Sequence, residues 1–505
     1  MTLGVTQSIA LQGLSGSLID VEVDIADGIP TYTLLGLPDA SLQESRDRVR
    51  AALVNSGQRW PNKKVTVSLS PAWLPKSGPG FDLAIALALL VADGALPQDS
   101  LQATLILGEL SLDGRLRSVR GVLPSLIAAY QSGIMRAIVP VENLAEAQLL
   151  PQMEILGFES LTDLYRWMRS GEYFQAPRLD LSVEDGGEDL DFADVAGQAR
   201  ARYAAEIAAS GGHHLLMIGP PGAGKTMIAS RIPTILPELS ADQALEVTAI
   251  HSIAGVLHSR SPMSKLAPIV TPHHSASRAS IVGGGNRIIT PGAISIAHHG
   301  VLFIDEAPEC AAGILDSLRQ PLESGTITIT RQVGSATFPA RFLLVLAANP
   351  CPCGKYTGRG HGCTCTSLQV RRYLGKLSGP LLDRIDIRVE VEPVSRVDLA
   401  STSLGESSKE IRARVVAARS RAAERFKNET WKLNAELPAT ALRLKYRPTR
   451  EAMNFLHDEL DRERITARGL HKVIRLSWTL ADLECREIPI KEDVERAYLL
   501  REGAL

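Results

Sequence analysis

Residues Gly219-Pro-Pro-Gly-Ala-Gly-Lys-Thr226 decide the fold. Every fixed position of G-x-x-x-x-G-K-[ST] is present, and the setting is the one this pattern needs. An apolar run, Leu215-Leu-Met-Ile218, precedes it, and Met227-Ile-Ala-Ser-Arg-Ile232 continues it with helical character. Strand, glycine loop and helix in that order turn backbone N–H groups toward phosphate oxygens at a helix N-terminus. The expected cradle is Gly219, Pro220, Pro221, Gly222, Ala223, Gly224, Lys225, Thr226 and Met227. Lys225 is expected to reach the β- and γ-phosphates and Thr226 to hold Mg²⁺. ATP with Mg²⁺ is thus the expected ligand.

Downstream, Val301-Leu-Phe-Ile-Asp-Glu306 is an apolar strand ending in two carboxylates. Asp305 is expected to bind Mg²⁺, directly or through water, and Glu306 to orient and polarise the attacking water. Any buried strand can end in acids, so this signal gains its weight from the phosphate loop upstream. A further apolar run, Phe342-Leu-Leu-Val-Leu-Ala-Ala-Asn349, ends in an amide that could place the water. The same Asn349 also suits a strand-end turn before Pro350.

These segments, with Asp194-Val-Ala-Gly-Gln198 ahead of the loop, resemble an AAA+ ATPase. Ser378-Gly-Pro-Leu-Leu-Asp-Arg-Ile-Asp386 resembles the arginine-finger segment of the magnesium-chelatase-like branch. That resemblance implies that Arg384 acts on ATP bound to the neighbouring subunit. Thr466-Ala-Arg-Gly-Leu470 resembles the sensor-2 motif, which implies that Arg468 contacts the γ-phosphate from the same subunit. A guanidinium suits both tasks because it stays charged and offers a planar fork of donors. A surface ion pair is the other reading of each. A finger acting in trans implies a ring or filament, and the resemblance implies a hexamer.

Composition bounds the rest. A chain of 505 residues is long enough for several domains. Apolar content of 45% and charged content of 22% describe a globular protein. A net charge of −2 supplies no global basic field, so nucleic-acid contacts must come from local patches. Aromatic content of 5% argues against broad base-stacking platforms. There is no eighteen-residue apolar run to span a membrane. Met1-Thr-Leu-Gly-Val-Thr-Gln lacks the basic and apolar regions of a secretory signal, so a cytoplasmic location is expected.

The pattern predicts an α/β, multidomain chain. Residues 1–172 alternate strands and helices, with Lys64–Leu69 and Arg136–Pro140 strand-like and Phe81–Val91 a buried helix. Residues 173–190 are acidic, carry paired glycines and read as a linker. Residues 191–393 read as the parallel-sheet ATPase core, and 394–505 as a small helical domain. Within the last, Ser408–Arg425 is strongly helix-forming, and Thr449 and Thr466 are expected N-caps.

Two resemblances cover the flanks. Pro272-His-His-Ser-Ala-Ser-Arg-Ala-Ser-Ile-Val-Gly-Gly-Gly285 and Pro291-Gly-Ala-Ile-Ser-Ile-Ala-His-His-Gly300 resemble the YifB/ComM family of magnesium-chelatase-like ATPases. The family implies an insert in the second helix and a pre-sensor hairpin, and Thr326–Pro339 resembles that hairpin. In related ring helicases such elements touch DNA, which points to Arg331 first and to Arg278 and Lys265 second. Solvated loop charge fits each of them equally. The implied activity is that of a helicase or branch-migration motor in natural transformation, acting on single-stranded, forked or branched DNA without sequence preference, with recombination proteins as possible partners. A magnesium-chelatase-type motor subunit and an ATPase remodelling a protein partner are the alternatives.

Residues Pro75-Lys-Ser-Gly-Pro-Gly-Phe-Asp-Leu-Ala84, Gly108–Arg115 and Gly133–Asn143 resemble the proteolytic domain of Lon, an α+β fold. Gly80 stands where that family has its nucleophile and Leu123 falls where it has its lysine. Lys76 and Ser77 are displaced from those positions. A Ser–Lys dyad needs a hydroxyl and an amine, so the implied module is a protease fold without protease chemistry, serving oligomerisation or docking.

Four of six cysteines cluster after Asn349, as Cys351-Pro-Cys353 and Cys363-Thr-Cys365. Four thiolates suit tetrahedral Zn²⁺, with His361 as a substitute ligand. A metal would order the intervening Gly-rich loop, which is too small for its own core. Disulfides are the competing arrangement, disfavoured in a reducing cytosol. Arg359 and Lys355 make the loop basic. Cys310 and Cys485 stand alone and are expected to pack as ordinary apolar side chains.

Overall fold

The computed structural model describes residues 2–171, 190–257, 262–285, 289–311, 313–331, 334–356, 362–395 and 405–503. Residues 173–189 of the expected linker, Arg359 and His361 lie outside the described residues.

Two large sheets organise the chain. The first has seven strands, in the edge-to-edge order Thr31–Leu35, Lys64–Ser70, Ser15–Ala26, Thr2–Gln12, Thr104–Ile106, Arg136–Pro140 and Glu154–Phe158. The two longest strands form an antiparallel hairpin closed by Gln12 opposite Ser15. From Thr2–Gln12 onward to Glu154–Phe158 the pairings are parallel. The apolar run expected as a buried helix is Asp82–Ala92, with all 11 residues buried. It lies directly on Gly4, where a Cβ would come within 2.0 Å of the Ala88 carbonyl oxygen, so only glycine permits the approach.

The second sheet has five parallel strands, ordered Ile269–Val270, Val301–Ile304, Leu343–Ala348, Leu215–Ile218 and Ile387–Glu390. Parallel sheets are covered on both faces, so their strands read as unbroken apolar runs. Leu343–Ala348, in the middle, is buried along its whole length. Ile218 lies opposite Ala348, and Ile304 opposite Leu346. Three strands therefore end at one edge and deliver Gly219, Asp305 and Asn349 to it. This carboxyl edge is where open α/β sheets bind ligands.

The C-terminal region is helical: Ser408–Arg425, Ala439–Leu444, Arg450–Asp461, Ala467–Leu483 and Lys491–Glu502. Ser407 and Glu410 close a capping box on the first of these. Thr466 caps Ala467–Leu483 by accepting the Gly469 N–H. Thr449 occupies a cap position, but its side chain makes no capping bond, and its N–H goes to the Pro489 carbonyl at 3.0 Å. Among the described residues no helix is long and apolar enough to cross a membrane.

The N-terminal sheet docks on the ATPase core. Leu11 and Leu14, flanking the first hairpin turn, pack on the apolar cluster that includes Ile327, Ile329, Ala336 and Phe338. The Gly121 N–H donates to Ser252 Oγ at 2.9 Å. The buried Glu146 carboxylate accepts the Leu123 N–H at 2.7 Å and also the Ser252 hydroxyl, on helix Ala241–Ala254. At Gly80, a Cβ would meet Val119 at 3.7 Å, and Leu123 is fully buried. Lys76 is buried too, with its ammonium donating to the Pro71 carbonyl.

Candidate nucleotide site

The phosphate loop joins strand Leu215–Ile218 to helix Lys225–Ile235. Gly222 and Gly224 take φ values of +77° and +91°, the left-handed region that glycine enters without a Cβ penalty. Lys225 is only 7% exposed. Its Nζ donates to the Gly219 and Pro220 carbonyls at 2.6 and 2.9 Å and to Asn349 Oδ1 at 3.2 Å. Burial lowers the Lys225 pKa, while Asp305 and Glu306 pull it the other way. Thr226 Oγ1 donates to Asp305 Oδ2 at 2.8 Å. A hydroxyl and a carboxylate in contact at the end of a phosphate loop are the hard oxygen donors that Mg²⁺ takes. The sequence-derived residues Lys225, Thr226, Asp305 and Asn349 thus meet in one place.

Gln198, at φ +55°, donates from Nε2 to the Ala223 carbonyl at 3.0 Å and the Glu392 carbonyl at 2.6 Å. It ties the lead-in segment to both the phosphate loop and the last strand of the sheet. Arg231 adds a second tie, from NH2 to Asp194 Oδ2 at 2.9 Å. Neither role was visible from spacing, because each partner lies far away along the chain or is a backbone carbonyl.

Glu306 leaves its strand through a left-handed residue, at φ +48°. Its N–H donates to Asp305 Oδ1 at 2.8 Å, fixing the two carboxylates relative to each other. Its side chain pairs with His274, Nδ1 to Oε2 at 3.1 Å. His274 lies within the conspicuous Pro272–Gly285 stretch, but nothing in the sequence links it to Glu306.

The two arginines meet elsewhere. Arg384 pairs with Glu323 and donates to the Pro380 carbonyl at 2.6 Å. Its main chain is held from the helical domain, where Lys472 Nζ donates to the Arg384 carbonyl at 2.8 Å and to Asp386 Oδ1 at 2.6 Å. Burial would raise the Asp386 carboxyl, but Lys472 and His213 outweigh it and hold it well below the usual range. Arg468 NH1 lies 3.5 Å from Asp383 Oδ2. Arg468, from the helical domain, therefore reaches the residue next to Arg384, so the two arginines expected to act on ATP are held at one short segment, Asp383-Arg384.

Four cysteine sulfurs gather within 4.8 Å of one another. Cys351 Sγ is 3.3 Å from Cys353 Sγ and 3.6 Å from Cys363 Sγ, and none of the four forms a disulfide. A tetrahedral zinc with Zn–S bonds of about 2.3 Å would set sulfurs about 3.8 Å apart, close to this arrangement. Gly354 carries the loop onto the phosphate loop, since a Cβ there would meet Pro221 Cδ at 2.5 Å. Glu246, His298 and His299 form a second cluster of metal-ligating types. It does not suit a metal. The Arg341 N–H donates to His298 Nδ1 at 3.0 Å, which leaves the ring proton on Nε2, the atom facing Glu246 at 3.2 Å.

Arg331 closes the Thr326–Pro339 hairpin opposite Gly334. Its guanidinium rests against Gly284, which also faces Ala279, the neighbour of Arg278. Lys265 is exposed, and its carbonyl accepts the Leu239 N–H at 2.8 Å. Among the described residues no hydrogen bond or ion pair joins it to the other two.

Residues 191–399 match the family described as magnesium chelatase, subunit ChlI. Residues 21–143 match subunit ChlI of Mg-chelatase, and 405–501 the ChlI C-terminal family. The Mycobacterium tuberculosis protein Rv2897c is 48% identical over 502 residues, 99% of each chain. YifB of Escherichia coli is 40% identical over 503 residues, 99% of this chain and 97% of its own. Competence protein ComM of Haemophilus influenzae is 39% identical over 498 residues, 96% of this chain and 94% of its own. The N-terminal region is similar to Lon protease 2 of Bacillus subtilis, 28% identical over 158 residues, 28% of each chain.

Proposed function

The chain belongs to the YifB/ComM family of magnesium-chelatase-like AAA+ ATPases, and we propose that it is a ring-forming DNA motor that drives branch migration during recombination. ATP and Mg²⁺ are the fuel of the family. In this reading Lys225 draws charge from the γ-phosphate while Thr226 and Asp305 hold Mg²⁺. Glu306 accepts the proton of the attacking water, with Asn349 holding that water in line. Arg384 leaves Glu323 to complete the neighbour's site, which calls for a closed ring, taken here as a hexamer. In the same reading Arg468, which pairs with Asp383 in this structure, reaches the γ-phosphate of its own subunit's ATP.

The observation that carries the DNA reading is the Thr326–Pro339 hairpin. Its exposed face presents Thr326, Thr328, Thr330, Ser335 and Thr337, with Arg331 at its closing pair. Its described residues include no carboxylate and no exposed aromatic ring. Hydroxyl and guanidinium donors suit phosphate and sugar, and backbone contacts carry no base information. A motor that must pass every sequence needs that chemistry. The similarity to ComM, a competence protein, supports recombination of imported DNA as the setting, in the cytoplasm. Zn²⁺ on Cys351, Cys353, Cys363 and Cys365 would stiffen the loop lying on Pro221. The N-terminal domain serves as a docking module without proteolysis.

The test is the ATPase rate with and without a four-way DNA junction, followed by migration of that junction. We expect strong stimulation, ATP-dependent migration, and binding that weakens steeply with salt. Neither binding nor stimulation would move the output to a protein partner or a chelatase-type cycle.

A further inference from the structure

We propose that the N-terminal domain is the backstop of the DNA-contacting hairpin, with Gly13 and Leu14 as the positioning residues that set where Arg331 and its row of hydroxyls stand. The inference rests on the DNA-motor reading above and gives the N-terminal domain its part in it.

The need for a backstop lies in the hairpin itself. Strands Thr326–Arg331 and Gly334–Pro339 pair only with each other among the described residues. A lone two-stranded hairpin is marginal in water. Its residues alternate in exposure. Thr326, Thr328, Thr330, Ser335 and Thr337 are exposed, whereas Ile327, Ile329, Ala336 and Phe338 are buried. Whatever covers the buried face fixes the direction of the exposed one, because successive side chains point to opposite sides. Gly283 supplies part of the cover, since a Cβ there would meet Ile329 Cδ1 at 2.5 Å. Another part comes from the N-terminal domain, whose Leu11 and Leu14 pack on the same apolar cluster.

The turn that delivers these leucines is not a solvated loop tip, the usual state of such a turn. Gly13, between Gln12 and Ser15 at the closed end of the first hairpin, is buried. A Cβ on it would stand 3.1 Å from the Thr337 carbonyl oxygen and 3.4 Å from Ala336 Cβ, so backbone rests on the back of the DNA hairpin. Its φ of +63° suits glycine, which has no Cβ to strain. The strands behind the turn, Thr2–Gln12 and Ser15–Ala26, are paired along their whole length and lie inside the seven-stranded sheet. From Gly4, under helix Asp82–Ala92, to Gly13 they run about 30 Å. Load on the DNA hairpin is thereby carried into the core of the N-terminal domain.

Leu11 reaches the second basic element as well. Its Cδ1 occupies the space that a Cβ at Gly121 would need, and Ile253 borders the same spot. Ile253 lies in the last turn of helix Ala241–Ala254, beyond which the chain continues to Lys265 and Arg278. Its neighbour Ser252 is the residue held by Gly121 and Glu146. One end of one hairpin therefore touches the roots of both basic elements and keeps them in a fixed relation.

The test uses the full chain with Leu14→Ser, Leu14→Met and Gly13→Ala. It reads amide exchange of the DNA-free protein, binding of a four-way DNA junction, and Mg-ATPase with and without that junction. In Leu14→Ser the amides of Thr326–Arg331 and Gly334–Pro339 should exchange faster, while those of Leu215–Ile218 stay protected. Junction affinity should fall about tenfold, the scale of one leucine's apolar burial, with the DNA-free ATPase rate unchanged. Leu14→Met keeps the apolar volume and should restore both affinity and protection. Gly13→Ala, whose added methyl bears on the Thr337 carbonyl, should lose affinity with every leucine still in place. Unchanged exchange of the DNA hairpin in Leu14→Ser, or a proportional fall of the DNA-free and DNA-stimulated rates, would overturn the backstop. A hairpin that loosens in Leu14→Ser, beside a wild type that binds no junction, would uphold the backstop and overturn the motor reading. The two failures are thus distinguishable.

Discussion

Lys225 meets Asn349, and Thr226 meets Asp305, because two strands bring Asp305 and Asn349 to the edge where the phosphate loop turns into its helix. Elsewhere in the core, polar side chains act as pins. His298 is 2% exposed, accepts the Arg341 N–H on Nδ1 and faces Glu246 with Nε2. Burial, aided by His299, lowers its pKa to about 4. The unfolded chain takes up this proton near pH 6.5 and the folded one only near pH 4. Stability from His298 is therefore complete above pH 6.5 and is lost as pH falls through that window. At pH 5 the loss should be on the order of 2 kcal/mol. Urea unfolding at pH 7 and pH 5 checks this, since His298→Asn should lose less stability between the two than the wild type does. Equal losses would show that His298 does not titrate in this way. Residues of this kind divide by legibility. The phosphate loop is readable because phosphate geometry fixes its spacing. Gln198, His274 and Glu323 are not, because their roles exist only once distant segments meet.

At the scale of elements, three of the five parallel strands, Leu215–Ile218, Val301–Ile304 and Leu343–Ala348, were readable because burial leaves unbroken apolar runs. Ile269–Val270 is too short, and Ile387–Glu390 alternates apolar and charged residues. Ser408–Arg425 was readable because its cap and composition agree. Thr449 misled at the side chain, having the right residue type and position but no capping bond. The hairpin was readable from two β-runs, but its support from Leu11 and Leu14 was not, since those lie some 300 residues upstream. The cysteine loop is the element with the clearest test. Purified under reducing conditions, the protein should carry about one zinc per chain by elemental analysis. Cys353→Ser and Cys363→Ser should each lower that content, and ATP affinity should fall as Gly354 loosens its hold on Pro221. Two disulfides by thiol titration, with no metal, would contradict the zinc assignment.

For the whole molecule, the N-terminal sheet and the ATPase core are joined at two places. The hairpin turn near Gly13 meets the Thr326–Pro339 hairpin, and Glu146 and Gly121 meet Ser252. A domain resembling a protease has, near its expected dyad lysine, contacts that brace a motor instead. The helical domain likewise grips the segment carrying Arg384 through Lys472 and Arg501. Both arrangements make sense if neighbouring subunits must present their arginines in register. The most direct test of that account mixes two variants. Arg384→Ala should bind ATP nearly normally yet lose at least about 10³-fold in hydrolysis, the scale of an arginine finger. Lys225→Ala should be inactive at its own phosphate loop while still offering Arg384 to a neighbour. Mixed in equal amounts, the two inactive proteins should recover a substantial fraction of wild-type ATPase. Normal hydrolysis by Arg384→Ala alone would contradict the composite site.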